Sequence, residues 1–168
     1  MSTAASPAVS WKTTLREHRF VSETCDINRL LAEVKHLAAQ LTEDASDLVS
    51  YSRGLDSWES LSEQVGRINE HIDEAGRTFQ RIAEIRLAAS PLQASTIEHV
   101  SPLLNRIAGA TARLIHAIDE NPKRLFMGEY RELIEKNSDL ASQFAALIGA
   151  FVDFGGYMQK RPGSGSHQ

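Results

Sequence analysis

The chain of 168 residues has few of the residue types and runs that mark a chemical site. Its single cysteine, Cys25, excludes an internal disulfide and any zinc site built from several cysteines. Cys25 has two interpretations, a reactive thiol or a small residue near a helix start, and we favour the second. A lone cysteine is compatible with a reducing compartment but does not require one.

Long apolar runs are also lacking. The longest runs from Phe144 to Val152, whereas a helix that crosses a bilayer needs about 20 apolar residues. The first twenty residues lack the apolar core of a secretory signal. We therefore expect a soluble, cytoplasmic protein without a membrane-spanning segment, and a periplasmic location stays open as the alternative.

Charge of one sign is not in large excess. The formal net charge is −4, and 42% hydrophobic with 24% charged residues is typical of a folded soluble domain. Lysine and arginine are spread along the chain, apart from a small cluster at Lys12, Arg16 and Arg19. Because no basic face of groove size results, nucleic acid is not expected as a partner.

What the sequence does contain is apolar periodicity at helical spacing, most clearly in the last long segment, Tyr130 to Met158. Ile134, Ala141 and Ile148 widen this stripe on one side. Leu147 lies at its centre and Glu135 on the opposite face, so the pattern predicts a helix buried against other helices. The stripe consists of Tyr130, Leu133, Leu140, Phe144, Leu147, Phe151, Phe154 and Met158.

Three earlier segments carry matching apolar faces. In the first, from about Asp26 to Ser52, the face is Ile27, Leu30, Leu31, Val34, Leu37, Ala38, Leu41, Ala45 and Leu48. In the second it is Trp58, Leu61, Val65, Ile68, Ile72, Ala75, Phe79 and Ile82. In the third it is Leu92, Thr96, Val100, Leu103, Leu104, Ile107, Leu114 and Ile118. Gly66 and Gly76, inside the second segment, are interpreted as points where a neighbouring helix approaches closely.

Capping residues predict where two of the helices begin. Asp56 and Glu59 have the spacing of a capping box at the start of the second helix. Ser90 and Pro91 predict the start of the third helix. Pro102 lies inside the third helix, and the apolar face keeps its phase across it. We therefore expect one continuous helix kinked at Pro102, rather than two helices.

Four long helices with short connections predict an all-α fold, an antiparallel up-down-up-down four-helix bundle. The bundle is expected to span residues 26–160. Residues 1–25 are expected to form a flexible or partly helical lead-in, and residues 161–168 a disordered tail.

One motif in the sequence has the spacing of a known kind of metal site. Glu33 and His36 have the Glu-x-x-His spacing of di-iron bundles, but such a site needs two of these motifs. Val34 and Leu37 belong to the apolar face, which turns Glu33 and His36 toward its flank. His71 and other histidines are likewise expected on flanks. We predict no catalytic residue, no metal ligand and no cofactor.

Asn137 is the polar residue that interrupts the stripe of the fourth helix. One interpretation is a buried hydrogen-bonding group that lines a small pocket. The other, which we favour, is a polar core residue that sets the register of the helices.

From Ser57 onward the chain resembles a family of small bacterial helical-bundle proteins with no assigned function. The resemblance covers about two thirds of the chain and rests on packing and capping motifs. Members of that family commonly begin with a signal segment, and this chain departs from that pattern in its polar first 25 residues. The similar positions are Ser57-Trp58-Glu59, His71-Ile72-Asp73-Glu74-Ala75-Gly76, Ser101-Pro102-Leu103-Leu104, Glu129-Tyr130, Asp139-Leu140-Ala141, Leu147-Ile148 and Phe151-Val152-Asp153-Phe154-Gly155.

The end of the fourth helix is apolar over more than one face, because Val152 and Tyr157 lie outside its stripe. The lead-in has apolar residues without partners, so we expect it to fold back over this end. If it does not, an exposed aromatic patch becomes the best candidate for self-association or for binding an unknown protein partner. The candidate interaction patch is Phe151, Val152, Phe154, Tyr157, Trp11 and Phe20.

The function that this sequence favours is a non-enzymatic interaction or structural module. The alternative is a small-ligand sensor bundle with a pocket between helices, similar to the ligand-binding bundles of chemotaxis receptors. A metal- or redox-binding bundle is a third and weaker hypothesis.

We expect the purified protein to hold no stoichiometric metal or haem, because its histidines lie outside the predicted apolar faces. Elemental analysis together with an absorbance scan measures this directly. One equivalent of bound metal, or a haem absorbance band, would contradict the expectation.

Overall fold

The computed structural model describes residues 11–54, 57–121 and 128–160, with side chains for all of these except residues 11–21, 88, 129 and 156–160. Four long α-helices account for most of this part of the chain. They are α1 (Trp11–Gly54), α2 (Trp58–Glu84), α3 (Pro91–Glu120) and α4 (Gly128–Lys160), with a short 3-10 helix (Arg86–Ala88) between α2 and α3.

The helices form an antiparallel up-down-up-down four-helix bundle, which confirms the predicted fold class. Each helix packs extensively on its two neighbours, α1 on α2 and α4, and α3 on α2 and α4. Contacts between α1 and α2 show their opposite directions, because Glu33 meets Thr78 whereas the later residue Asp44 meets the earlier residue Gln64.

Contacts of α4 show its direction against both neighbours. Toward α1, Lys35 pairs with Asp153 at 2.5 Å and Arg53 pairs with Glu135 at 2.9 Å, so the first and last helices are antiparallel. Toward α3, the paired residues are Asn137 with Thr111 and Phe151 with His99.

The apolar faces of α1 and α2 are confirmed almost residue for residue. All nine residues expected in the first helix are buried, from Ile27 to Leu48. In the second helix every expected residue is buried except Trp58, which is 43% exposed at the start of α2. The first helix begins earlier than expected, since α1 starts at Trp11 rather than at Asp26.

The buried face of α4 is rotated relative to the predicted stripe. Ile134, Ala141 and Ile148, expected at one side of it, are fully buried together with Asn137 and Phe144. The reason is visible at Leu140, Leu147 and Phe154, which are buried, half-buried and 55% exposed in turn. Seven residues fall short of two full turns, so each step of seven drifts by about 20° away from the core.

The start of α2 differs from the predicted one. The N-cap of α2 is Ser57, whose hydroxyl accepts a hydrogen bond from the Ser60 backbone N–H at 3.3 Å. Asp56, expected to cap this helix, lies outside the described residues.

Gly66 and Gly76 do not mark a close approach of a neighbouring helix, because a Cβ built at either position meets nothing within 4 Å. Both lie away from the packed face of α2.

The third helix is continuous through Pro102, as the phase of its apolar face predicted. Pro102 is exposed, and so is Glu98, whose carbonyl loses its usual partner when residue 102 is proline. Water can therefore solvate the freed carbonyl. The cost of the proline stays outside the core, which allows the helix to continue to Glu120.

The rotation of α4 predicts unequal costs for two neighbouring residues. Ile148→Ala removes a fully buried side chain and should lower the free energy of unfolding by about 2–5 kcal/mol. Leu147→Ala removes a half-buried side chain of the same size and should cost less than about 2 kcal/mol. Urea denaturation of both variants measures the difference. An equal or larger effect at Leu147 would contradict the assignment of Ile148 to the buried face of α4.

Candidate interaction surface

One end of the bundle collects exposed apolar side chains. There the first turn of α3 lies beside Phe154 and Gly155 of α4, and the 3-10 helix lies on the other side of α3. Two of the three large hydrophobic side chains exposed in the described part of the chain are at this end: Leu87, 87% exposed, and Phe154, 55% exposed. We call this region the apolar end and define it by Leu87, Pro91, Leu92, Phe151, Val152 and Phe154.

The start of α3 is built by a capping box. The Ser90 hydroxyl accepts a hydrogen bond from the Gln93 backbone N–H at 3.3 Å, and the Gln93 side-chain oxygen accepts one from the Ser90 N–H at 2.8 Å. Pro91 occupies the first helical position, where its missing N–H costs no hydrogen bond. The Ser-Pro start predicted from the sequence is therefore confirmed.

Gln93 also ties α3 to α1. Its side-chain amide donates to the Thr24 carbonyl oxygen at 3.1 Å and to the Asn28 side-chain oxygen at 2.8 Å. Gln93 is only 5% exposed, and these bonds satisfy both of its amide hydrogens and its oxygen. A single residue thus closes the cap of one helix and holds that helix beside another.

Two adjoining grooves lie between α1, α3 and α4 around this residue. The inner one has a volume of about 180 Å³ and is bounded by Leu31, Thr96, Phe151 and Val152. The outer one, of about 400 Å³, reaches Pro91 and Phe154. They share the residues Asn28, Leu92, Gln93 and Gly155.

A third groove opens on the side of α3 that faces the 3-10 helix. It has a volume of about 510 Å³ and is lined by Arg86, Leu87, Ala89, Ala94, Ile97 and Glu98. The start of α3 is therefore a ridge with apolar grooves on two sides.

The predicted interaction patch is only partly brought together within the described side chains. Phe151 and Val152 are half-buried against the core, and the Phe151 ring lies 6.2 Å from the His99 ring between centroids. Phe154 is the exposed member. Tyr157, Trp11 and Phe20 lie in α4 and α1, but their side chains are outside the described set.

The expected fold-back of the lead-in is not what the backbone does. Residues from Trp11 onward belong to α1, so they continue the line of that helix instead of turning over Val152 and Tyr157. Leu87 and Pro91 were not identified from the sequence as exposed surface, and Leu92, expected in the apolar face of α3, is half-buried. The signal for Leu87 was its position outside the phase of the α2 stripe, which ends at Ile82.

A cluster of polar side chains between α1 and α2 was not predicted. Asp44 Oδ2 lies 2.7 Å from His71 Nδ1, and neither atom has a hydrogen-bond partner among the described residues. Buried Gln64 donates to the Asp44 carbonyl oxygen at 3.0 Å and accepts from Arg67.

An aspartate beside a histidine is the arrangement that orients a general base. In this cluster, however, the described partners are an amide and a guanidinium, Gln64 and Arg67, and neither is a nucleophile. We therefore assign the cluster to holding α1 against α2.

The Glu33 and His36 motif lies on the flank of α1, as predicted. The Glu33 carboxylate accepts a hydrogen bond from the Thr78 hydroxyl at 3.2 Å and lies 3.6 Å from the Arg81 guanidinium, while His36 is exposed. Across the residues that the structure describes, no group of three or more histidine, cysteine or acidic side chains is placed to hold a metal ion.

Asn137 is fully buried and lines none of the three grooves. Its amide donates to the Thr111 hydroxyl of α3 at 2.8 Å. Its side-chain oxygen has no hydrogen-bond partner within the described ranges. A polar contact at one level between two helices is the geometry of a register-setting residue.

Comparison with known protein families, curated proteins and solved structures finds no match for this chain. None of the described helices combines the length and apolarity needed to span a bilayer. A proposal about function therefore rests on the side chains and grooves of the apolar end.

The Gln93 bridge predicts a stability effect larger than that of an ordinary surface glutamine. Gln93→Ala removes the acceptor for Ser90 and the links to α1, and should lower the free energy of unfolding by about 1–3 kcal/mol. Gln80→Ala, on the exposed face of α2, is the matched control and should change it by less than about 0.5 kcal/mol. Equal effects in chemical denaturation would contradict the bridging role.

Proposed function

We propose that this protein is a non-enzymatic interaction or structural module that binds another protein surface through its apolar end. The observation that carries the proposal is the exposure of Leu87 and Phe154 on either side of the α3 ridge. A large side chain exposed in water at one point is ordinary, but each of these two lies beside an apolar groove, and exposed apolar surface of this kind is found at protein interfaces.

The surroundings of the two side chains support this proposal. The grooves beside Phe154 are bounded by Leu92, Phe151 and Val152, which are half-buried. They add apolar area to the surface, and their partial burial restricts the motion of their side chains. Interfaces take most of their binding energy from a few aromatic or aliphatic anchors seated in such pockets. The expected partner surface is therefore apolar and narrow enough to enter grooves beside a helix.

The use of polar side chains in the core also supports binding rather than catalysis. Gln64, Thr78 and Gln93 are buried, and each is engaged in contacts that join α1 to a neighbouring helix. Their amide and hydroxyl groups are not acids or bases, and here they hold helices together. These three side chains thus serve the scaffold, and the apolar end is the surface that we propose for binding.

The second candidate function is a small-ligand sensor, and the inner groove between α1, α3 and α4 favours it. Its lining combines apolar residues with the polar residues Asn28, Gln93 and Thr96, although its volume of about 180 Å³ is below the ~300–1,000 Å³ of common ligand sites. A metabolite panel tests it, because a ligand that binds the folded state raises the melting temperature with concentration. Such a concentration-dependent rise would favour the sensor over the interaction module.

The family resemblance and the expected compartment belong to the same proposal. We take the chain to be a bacterial protein that works in the cytoplasm, with a protein rather than nucleic acid as partner. The exposed thiol of Cys25 supports the cytoplasm, since free thiols persist in reducing compartments.

Site-specific photo-crosslinking tests the interaction surface. With p-benzoylphenylalanine in place of Phe154, illumination should join the protein to a partner in one adduct of defined mass, because the probe replaces an exposed ring at the proposed contact. The same probe in place of Trp58 is the matched control, since Trp58 is an exposed aromatic residue at the other end of the bundle. Adducts of equal yield at both positions, or none at Phe154, would overturn the proposal.

A further inference from the structure

The two ring nitrogens of His71 have different surroundings. Nδ1 is buried and lies 2.7 Å from Asp44 Oδ2, whereas the His71 side chain as a whole keeps 23% of its surface exposed. Nε2 lies on the far side of the ring from this contact, is not buried, and has no hydrogen-bond partner among the described residues. One nitrogen of the ring is therefore packed against α1, and the other is open to water.

Asp44 is fixed in place by its other contacts. The fully buried Gln64 donates to Asp44 Oδ1 at 3.2 Å and to the Asp44 carbonyl oxygen at 3.0 Å. The side-chain oxygen of Gln64 in turn accepts a hydrogen bond from Arg67. Because its Oδ1 is engaged and only 13% of the side chain is exposed, the Asp44 carboxylate stays with Oδ2 beside His71.

This carboxylate determines which nitrogen of His71 keeps a lone pair. An unprotonated Nδ1 at 2.7 Å would oppose its lone pair to those of Asp44 Oδ2, so the neutral ring has its hydrogen on Nδ1. The lone pair is then on Nε2, the nitrogen that is open to water. A ring that forms a bond through Nε2 becomes positively charged, and the adjacent carboxylate stabilises that charge. The pair has no other side chain to activate, but the ring itself is a nucleophile beside a fixed counter-ion.

Arg67 indicates which electrophile suits this nucleophile. It precedes His71 by four residues in α2, so the two side chains are neighbours on the same face of the helix. The Arg67 guanidinium has five N–H donors and one hydrogen bond among the described residues, to Gln64. Guanidinium groups form strong paired hydrogen bonds with phosphoryl oxygens. Glu74, the acidic residue one turn beyond His71, is exposed, so water and salt screen its repulsion of an anion.

We propose that His71 Nε2 is a phosphoryl-acceptor site, which takes its phosphoryl group from a donor of the phosphoramidate class. Nε2 attacks the phosphorus atom, and a new N–P bond forms while the P–N bond of the donor breaks. The electron pair of the broken bond leaves on the donor nitrogen, which departs as a neutral amine. The positive charge that this nitrogen carried passes to the imidazole ring, and the proton on Nδ1 stays beside Asp44. This site is on the flank of α1 and α2 and does not depend on the apolar end or its partner.

Reaction of the full chain with phosphoramidate tests the proposal, with the modified histidines located by tandem mass spectrometry. His36 is the internal control, because it is exposed and has no hydrogen bond or ion pair among the described residues. His71 should be phosphorylated about tenfold faster than His36, since only His71 has a carboxylate beside Nδ1. Exposure alone predicts the reverse order.

The position of the phosphoryl group on the ring is a second measurement on the same sample. Phosphorus-31 NMR distinguishes the two isomers of phosphohistidine, and the isomer at His71 should be the one on Nε2, because Nδ1 is buried. Phosphorylation of His71 no faster than that of His36, or on Nδ1, would overturn the proposal. Both measurements use the wild type, so neither depends on whether a variant folds.

Two variants separate the roles of Asp44 and Arg67. Asp44→Asn keeps an oxygen for Gln64 but removes the charge beside Nδ1, so it should slow phosphorylation of His71 about tenfold and leave His36 unchanged. Arg67→Gln should slow the reaction of His71 with phosphoramidate but not with diethyl pyrocarbonate, an uncharged acylating reagent. Far-UV circular dichroism confirms that each variant is folded. An unchanged rate in Asp44→Asn, or equal effects of Arg67→Gln on the two reagents, would contradict the proposed site.

Discussion

The apolar face of α1 is the constraint on which the other helices depend. Its nine buried residues from Ile27 to Leu48 form one surface that α2 and α4 cover from two sides. Removal of this much apolar surface from water is the main favourable term in the folding of a bundle. Polar contacts between helices then determine how far each helix is shifted along its axis relative to its neighbours. Each is placed where a slip of one turn would separate its partners, as in the pair of Asp44 with Gln64.

The ion pairs between α1 and α4 contribute to alignment more than to stability. Lys35 with Asp153, and Arg53 with Glu135, are exposed on the surface of the seam. Exposed pairs of this kind are worth about 0–1 kcal/mol each, because water screens them and long side chains lose freedom. The buried amide bridges are stronger constraints, since a displaced Gln93 or Gln64 would leave its polar atoms unpaired away from water.

The fold was predictable from the sequence because burial along a helix has a simple period. The faces of α1 and α2, and the Ser90-Pro91 start of α3, needed only that period and the chemistry of capping. The centre of the α4 face was not predictable in the same way, because Leu147 and Ile148 are equally apolar and only neighbouring helices decide between them. The cap of α2 was predicted at Asp56 instead of Ser57 because aspartate and serine are both favoured capping residues, and the two are adjacent in the sequence.

The candidate surface was less accessible to sequence reasoning. Phe151, Val152 and Phe154 were identified, but Leu87 was not, since its exposure depends on where α2 ends and α3 begins in space. The grooves around Gln93 come from three helices at once. A pattern along one helix carries no information about such a space, and the continuity of α1 from Trp11 likewise depended on more than an apolar stripe.

The packing of α1 against α4 has a consequence for the order of events in folding. Lys35 and Asp153 are separated by 118 residues, so this seam joins the two most distant helices in the chain. Closing so long a loop is entropically unfavourable until something shortens it. Hairpins of consecutive helices, α1 with α2 and α3 with α4, have only short closures and can form first. We therefore expect the docking of the two hairpins at this seam to be the slow step of folding.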